Sequence, residues 1–124
     1  MLLAIHHVAI ICRDYPTSKH FYHQLLELPI IAEHYRAERQ SYKLDLQLPD
    51  GTQLELFSFP AAPARPSQPE AQSFRHLCFA VAAVQWLAER GITTEPIRID
   101  PYTGAKFTFF VDPDGLPLEI YQRQ

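Results

Sequence analysis

Two glutamates in this chain stand where a glutamate is costly. Gln53-Leu54-Glu55-Leu56-Phe57 sets Glu55 between leucines, and the run from Leu116 to Tyr121 sets Glu119 between Leu118 and Ile120. A carboxylate inside an apolar strand loses hydration that a partner or a cation must replace. Two histidines open apolar runs: His7 precedes Val-Ala-Ile-Ile, and His76 precedes Leu-Cys-Phe-Ala-Val. The order is His, Glu, His, Glu, with the members of the two pairs 48 and 43 residues apart. Each pair is spread over one half of the chain.

Two neutral imidazoles and two carboxylates make a donor set for a divalent transition metal. Mixed nitrogen and hard oxygen donors suit Zn, Ni, Co, Mn or Fe(II). The glutamates would neutralise the ion, and the ion would offset their burial. Four protein ligands leave two positions of an octahedral shell for water, and a substrate with two adjacent oxygens could take them. Taken singly, such a histidine is commonly a hydrogen-bonded structural residue, and such a glutamate commonly faces water from an edge strand. Matched positions in two matching halves argue instead that His7, Glu55, His76 and Glu119 converge on one ion. By strand parity His6 points to the opposite, helix side, and His20, His23 and His34 are read as surface residues.

The elements that must position these groups follow from periodicity. Ile5 to Cys12 is apolar on both parities and reads as a buried strand. Asp14 or Thr17 caps the next helix, Pro16 is tolerated in its first turn, and Phe21, Tyr22, Leu25 and Leu26 form its apolar stripe up to Pro29. Strands follow at Ile30 to Tyr35, Ser41 to Leu48 and Thr52 to Phe59, with Pro49-Asp50-Gly51 as the turn before the last. The stretch 60–72 carries four prolines and reads as a linker. The order then repeats: strand Phe74 to Val81, short helix Ala83 to Arg90 with Val84, Leu87 and Ala88 inward, strand Ile92 to Ile99 weakened by Pro96, strand Lys106 to Asp112, turn, and the Glu119 strand. The predicted plan is α+β: one domain over 1–124, built of βαβββ modules at 1–59 and 73–124. The two modules pair into a curved, barrel-like sheet with helices outside.

Alternation across strands assigns faces. Val8, Ile10, Leu54, Leu56, Leu77, Phe79, Leu118 and Ile120 fall opposite the four candidate ligands, under the helices. Gln53, Cys78, Pro117 and Tyr121 share the ligand side. Lys43, Asp45, Gln47, Lys106 and Thr108 are expected there too, lining a partly polar hollow.

Composition bounds the class. At 124 residues, 47% hydrophobic and 20% charged, the chain is ordinary globular material. A net charge of −3 gives no basic footprint, so nucleic acid is not an expected partner. No apolar run approaches the ~18 residues of a membrane span, and the first run lacks the basic start and cleavage site of a signal peptide. Cys12 and Cys78 form no disulfide framework, so the expected setting is reduced and cytoplasmic.

Together these motifs resemble the vicinal oxygen chelate superfamily, the group of glyoxalase I, fosfomycin-resistance, bleomycin-resistance and extradiol-dioxygenase proteins. The resemblance covers the whole chain. It is carried by His7-Val-Ala-Ile with Asp14, Phe21-Tyr22, Leu54-Glu55-Leu56-Phe57, Arg75-His76 through Val81, and Phe109-Phe110-Val-Asp112-Pro-Asp-Gly115 running into Leu118-Glu119-Ile120. It is most similar to small bacterial glyoxalase I-related proteins. The resemblance implies metal ligands at His7, Glu55, His76 and Glu119, with Glu119 as the catalytic base and Glu55 as its partner. It further implies a lyase or isomerase acting through enediolate chemistry on a small vicinal-oxygen or thiol-conjugated substrate. Glutathione is a possible co-substrate, with Arg36, Arg39, Lys43 and Lys106 available for its carboxylates. A homodimer is also implied, with the site built in one chain or across two. The alternatives on the same scaffold are a thiol transferase, an Fe(II) dioxygenase and a non-enzymatic binding or resistance module.

Overall fold

The computed structural model describes residues 1–123 as an α+β chain of two compact units, Met1–Ala64 and Arg65 onward. The division falls inside the proline-rich stretch. Each unit holds one four-stranded mixed sheet.

The first unit comprises β1 (His7–Cys12), α1 (Tyr15–Lys19), β2 (Ile30–Arg36), β3 (Ser41–Gln47) and β4 (Gln53–Ser58). Asp14 caps α1 by accepting from the Thr17 amide, and Pro16 sits in the first turn, where its missing N–H costs nothing. The helix continues as a π-helical stretch, His20–Leu25, in which the Leu26 amide reaches back to the Phe21 carbonyl. On a regular α-helix, Phe21 and Leu26 would project about 140° apart. The wider turn brings them closer to one line, and Phe21, Tyr22 and Leu26 are all buried. Sheet order is β1-β4-β3-β2, with β1 parallel to β4 because the helical crossover reverses the chain between them. The expected helix face is the core: Leu44, Leu46, Leu54 and Leu56 are at most 1% exposed. At about 1.5–3 kcal/mol for each fully buried leucine, this face contributes heavily to the unit's stability.

The second unit repeats the plan with β5 (Leu77–Val81), α2 (Trp86–Glu89), β6 (Arg98–Ile99), β7 (Lys106–Val111) and β8 (Pro117–Gln122), in the order β5-β8-β7-β6. Three elements are shorter than their sequence patterns suggest: β5 begins only at Leu77, three residues after Phe74, and α2 and β6 are cut back further. α2 is a single turn in which Leu87 is buried and Ala88 exposed, and Gly91 ends it at φ +75°. The expected strand Ile92 to Ile99 pairs only at Arg98 and Ile99. Pro96 has no N–H to donate, so the segment before it lies beside β7 without a ladder, held by the Glu95 N–H to the Phe109 carbonyl and by the Thr108 hydroxyl to the Glu95 carbonyl. Leu118, Ile120, Thr108 and Phe110 form the buried face with Val84 and Leu87.

The same turn chemistry precedes both glutamate strands. Pro49-Asp50-Gly51 and Pro113-Asp114-Gly115 each place a glycine in the left-handed region, at φ +93° and +81°. Asp50 accepts from the Thr52 amide. Asp112, buried, accepts from the Asp114 and Leu116 amides. Each glycine stands four residues before its glutamate, so these turns set the register that delivers Glu55 and Glu119. Among the described residues no helix is long and apolar enough to cross a membrane.

Candidate metal centre

The register puts His7 opposite Gln53 and Glu55 opposite Ala9, so the histidine and the glutamate sit on adjacent parallel strands two residues out of step. Side chains two apart share a face, and the His7 Nε2 and Glu55 Oε2 atoms lie 3.8 Å apart. In the second unit Glu119 pairs with Cys78, again two residues beyond the histidine. His76 Nε2 and Glu119 Oε1 are 3.4 Å apart. Both units therefore build one His–Glu pair with the same stagger.

These separations suit two ligands of one ion. Bonds of 2.0–2.2 Å place adjacent ligand atoms about 3.0 Å apart in an octahedron and about 3.4 Å apart in a tetrahedron. The second pair meets the tetrahedral figure, and the first is slightly open. The carboxylates are largely covered, with the Glu55 side chain 12% and the Glu119 side chain 14% exposed. Among the described residues no lysine or arginine pairs with Glu119. Lys43 approaches Glu55 only to 3.9 Å and is committed to Asp45 at 2.8 Å. A covered carboxylate without a committed cation fits a metal ligand. Within either unit the described residues bring together two such groups, and no cluster of three or more His, Cys, Asp or Glu side chains.

The neighbours differ between the pairs. His6 Nδ1 lies 3.0 Å from His7 Nδ1, one of the two donating. In the tautomer where His7 donates its Nδ1–H to His6, its Nε2 lone pair faces Glu55, the arrangement a metal-binding imidazole requires. Parity assigned His6 to the helix side, but the strand begins at His7, so parity does not govern it. In the second unit the His76 ring meets Phe109 edge to face, centroids 5.1 Å apart. Cys78 shares the face of Glu119, as alternation predicted. Its thiol, which donates to the Phe79 carbonyl at 3.8 Å, is pushed up to about 12, by burial first and then by the neighbouring Glu119 carboxylate, so it stays protonated at neutral pH.

Several surrounding residues fall where expected and others do not. Lys43, Asp45 and Gln47 pair with Phe57, Glu55 and Gln53 and so share the face of Glu55. Lys106 and Thr108 do not share the face of Glu119. β7 pairs Phe109 with Glu119 and Thr108 with Ile120, so Phe107, Phe109 and Val111 hold that side. Thr108 is fully buried on the helix side, its hydroxyl donating to the Glu95 carbonyl at 2.7 Å. Analogy between the halves failed there because aromatic residues, not alternating polar ones, occupy the ligand face of β7. Arg39 lies over the Phe59 ring, and His23 Nδ1 bonds the Leu28 carbonyl. The basic residues on a cavity wall beside His76 are instead Arg75 and Arg98. The adjacency of Arg75 to His76 was the available signal for the first; Pro96, by confining β6 to two residues, hid the second.

The comparisons agree with this architecture. The family profile of the Glyoxalase/Bleomycin resistance protein/Dioxygenase superfamily matches residues 4–120. YwkD of Bacillus subtilis is 57% identical over 99% of both chains. YaeR of Escherichia coli is 51% identical over 98% of both. A crystal structure of a glyoxalase family protein from Enterococcus faecalis, 48% identical, superimposes with a TM-score of 0.85, covering 95% of this chain and 96% of that one.

Proposed function

Because the chain belongs to the Glyoxalase/Bleomycin resistance protein/Dioxygenase superfamily, we propose that it is a metal-dependent enzyme of glyoxalase I type. It acts as a lyase or isomerase on a small substrate with two adjacent oxygens, free or conjugated to a thiol. The observation that carries this reading is the pair of His–Glu couples at 3.8 and 3.4 Å with identical stagger. A scaffold that needed only packing would have no reason to repeat a covered carboxylate beside an imidazole in both halves.

In this reading His7, Glu55, His76 and Glu119 hold a divalent cation. When bound, that ion supplies Lewis acidity toward the substrate's adjacent oxygens. The chain's own groups do the rest. Glu119 takes the proton from the carbon beside the carbonyl and returns it to the neighbouring carbon. Glu55 is the equivalent carboxylate of the first unit and its partner in that transfer. Phe109, against His76, makes one wall apolar and limits water beside the reacting carbon.

The test has two arms. Protein purified without chelators is analysed for bound metal, then assayed with the hemithioacetal of methylglyoxal and glutathione and with other vicinal dicarbonyl and hydroxycarbonyl substrates under Zn, Ni, Co, Mn and Fe(II). One metal ion per chain and turnover with at least one substrate is the expected result. Protein that carries no divalent metal, and whose thermal midpoint is indifferent to added metal and to chelator, would overturn the proposal in favour of a binding module.

A further inference from the structure

The second unit carries an open cavity of about 700 Å³ that has His76 on its wall. That volume lies within the range of small-molecule sites. Its walls carry chemistry that the four proposed metal ligands leave unused. Arg98 sits over two rings, its guanidinium carbon 5.1 Å from the Phe107 centroid and 5.6 Å from the Phe109 centroid. One terminal nitrogen donates to Glu95 at 3.0 Å. Arg75, on the same cavity, donates through Nε to Glu70 at 2.7 Å. Among the described residues the other guanidinium nitrogens of both arginines have no hydrogen-bond partner.

We propose that this cavity is an anion-recognition pocket, in which Arg98, seconded by Arg75, holds a carboxylate or phosphate on the far end of the substrate from its reacting carbons. The direction of that substrate, reacting end toward His76, rests on the function proposed above; the anion site itself does not.

A guanidinium held over two rings and tied by one carboxylate is already partly ordered, so binding an oxyanion costs less further ordering than it would for a free side chain. A planar fork with unengaged N–H groups matches two oxygens of a carboxylate or phosphate. Glu95 does not cancel it. Both side chains are more than half exposed, so their ion pair is weak and screened by water. The backbone of Glu95 is nevertheless fixed, its N–H donating to Phe109 and its carbonyl accepting from Thr108, so the guanidinium is anchored to the sheet and not to a free loop. Phe109 touches the guanidinium and, edge to face, His76. A ligand lying along that ring therefore meets the cation at one end and the imidazole at the other. Val111 and Pro117 continue the apolar wall for its carbon body.

Carboxylate and phosphate share this chemistry, and two probes separate them. Phenylacetate and phenylphosphonate are titrated into the full-length, chelator-treated chain and followed by amide and Arg Nε–H nuclear magnetic resonance shifts. Saturable shifts at Arg98, Phe109 and Val111 are expected, and the tighter probe names the end group. Arg98→Gln should weaken binding at least tenfold. Arg98→Lys should recover part of it, and Arg90→Gln, outside the cavity, should change nothing. Equal affinity in Arg98→Gln, or shifts scattered away from the cavity, would refute the assignment. Should Arg98→Gln lose its fold, Arg75→Gln, whose side chain is 73% exposed, carries the same test with the same refuting outcome. The titration contains no metal and no turnover. Anion binding without metal binding would therefore condemn only the proposed function, and metal binding without an Arg98 effect only this inference.

Discussion

Replacing Glu119 by glutamine separates a metal ligand from a structural acid. The side chain is 14% exposed, lies 3.4 Å from His76 and has no lysine or arginine paired with it among the described residues. Neutralising it in the metal-free protein removes a poorly compensated charge from a covered position. The metal-free variant should therefore match the wild type within about 1 kcal/mol or exceed it. With metal the sign reverses. At a metal concentration one hundred times the dissociation constant, binding stabilises the native state by about 2.7 kcal/mol. For a chain of this length that raises the thermal midpoint by about 10 °C. Loss of even an outer-shell partner costs 10–100-fold in affinity, so loss of a direct ligand should reach at least the upper figure. At the same metal concentration the variant then retains about 0.4 kcal/mol, a shift under about 2 °C. Thermal denaturation of both proteins with and without each metal measures all four quantities. A full metal shift in Glu119→Gln would remove it from the ligand set. A metal-free variant several kcal/mol less stable than the wild type would show instead that Glu119 holds the fold together.

Two further outcomes follow from the charges around the first unit. Lys43, bound to Asp45 and 3.9 Å from Glu55, competes with any cation there, so Lys43→Met should tighten metal binding by about tenfold, read by competition with a chromophoric chelator. Glu33 is held below the usual carboxylate range, first by its hydrogen bond from Lys19 and then by that from Tyr15. A carboxyl depressed in the folded state stabilises above its unfolded value of about 4.3, and that contribution is lost as pH falls through the lower folded value. Carbon-detected titration should place the Glu33 midpoint below the ordinary glutamate value, and Lys19→Met should raise it; an unmoved midpoint would dissociate Lys19 from the shift.

The limits of the sequence reading show in particular residues. The faces of β4 and β8 were legible because Leu54, Leu56, Leu118 and Ile120 leave no doubt which side is buried, and a period of two then fixes Glu55 and Glu119. The repeated Pro-Asp-Gly four residues before each glutamate marked the register as well. Phe107, Phe109 and Val111 misled because aromatic and aliphatic residues are equally at home in a core and on a cavity wall. The alternation of β7 was visible, but its pairing partner decides which parity faces Glu119.

What the chain determined by itself is therefore local and periodic: the strands, the two turns, the buried leucines, and a histidine and a glutamate placed in each half. These follow from side-chain alternation and from the backbone demands of proline and glycine, which act over a few residues. Tertiary structure alone decided the two-residue stagger that joins His7 to Glu55 and His76 to Glu119, and the seating of Arg98 on Phe107 and Phe109. Pairing register and ring contacts between distant segments depend on how whole strands align, and no window of neighbouring residues carries that information.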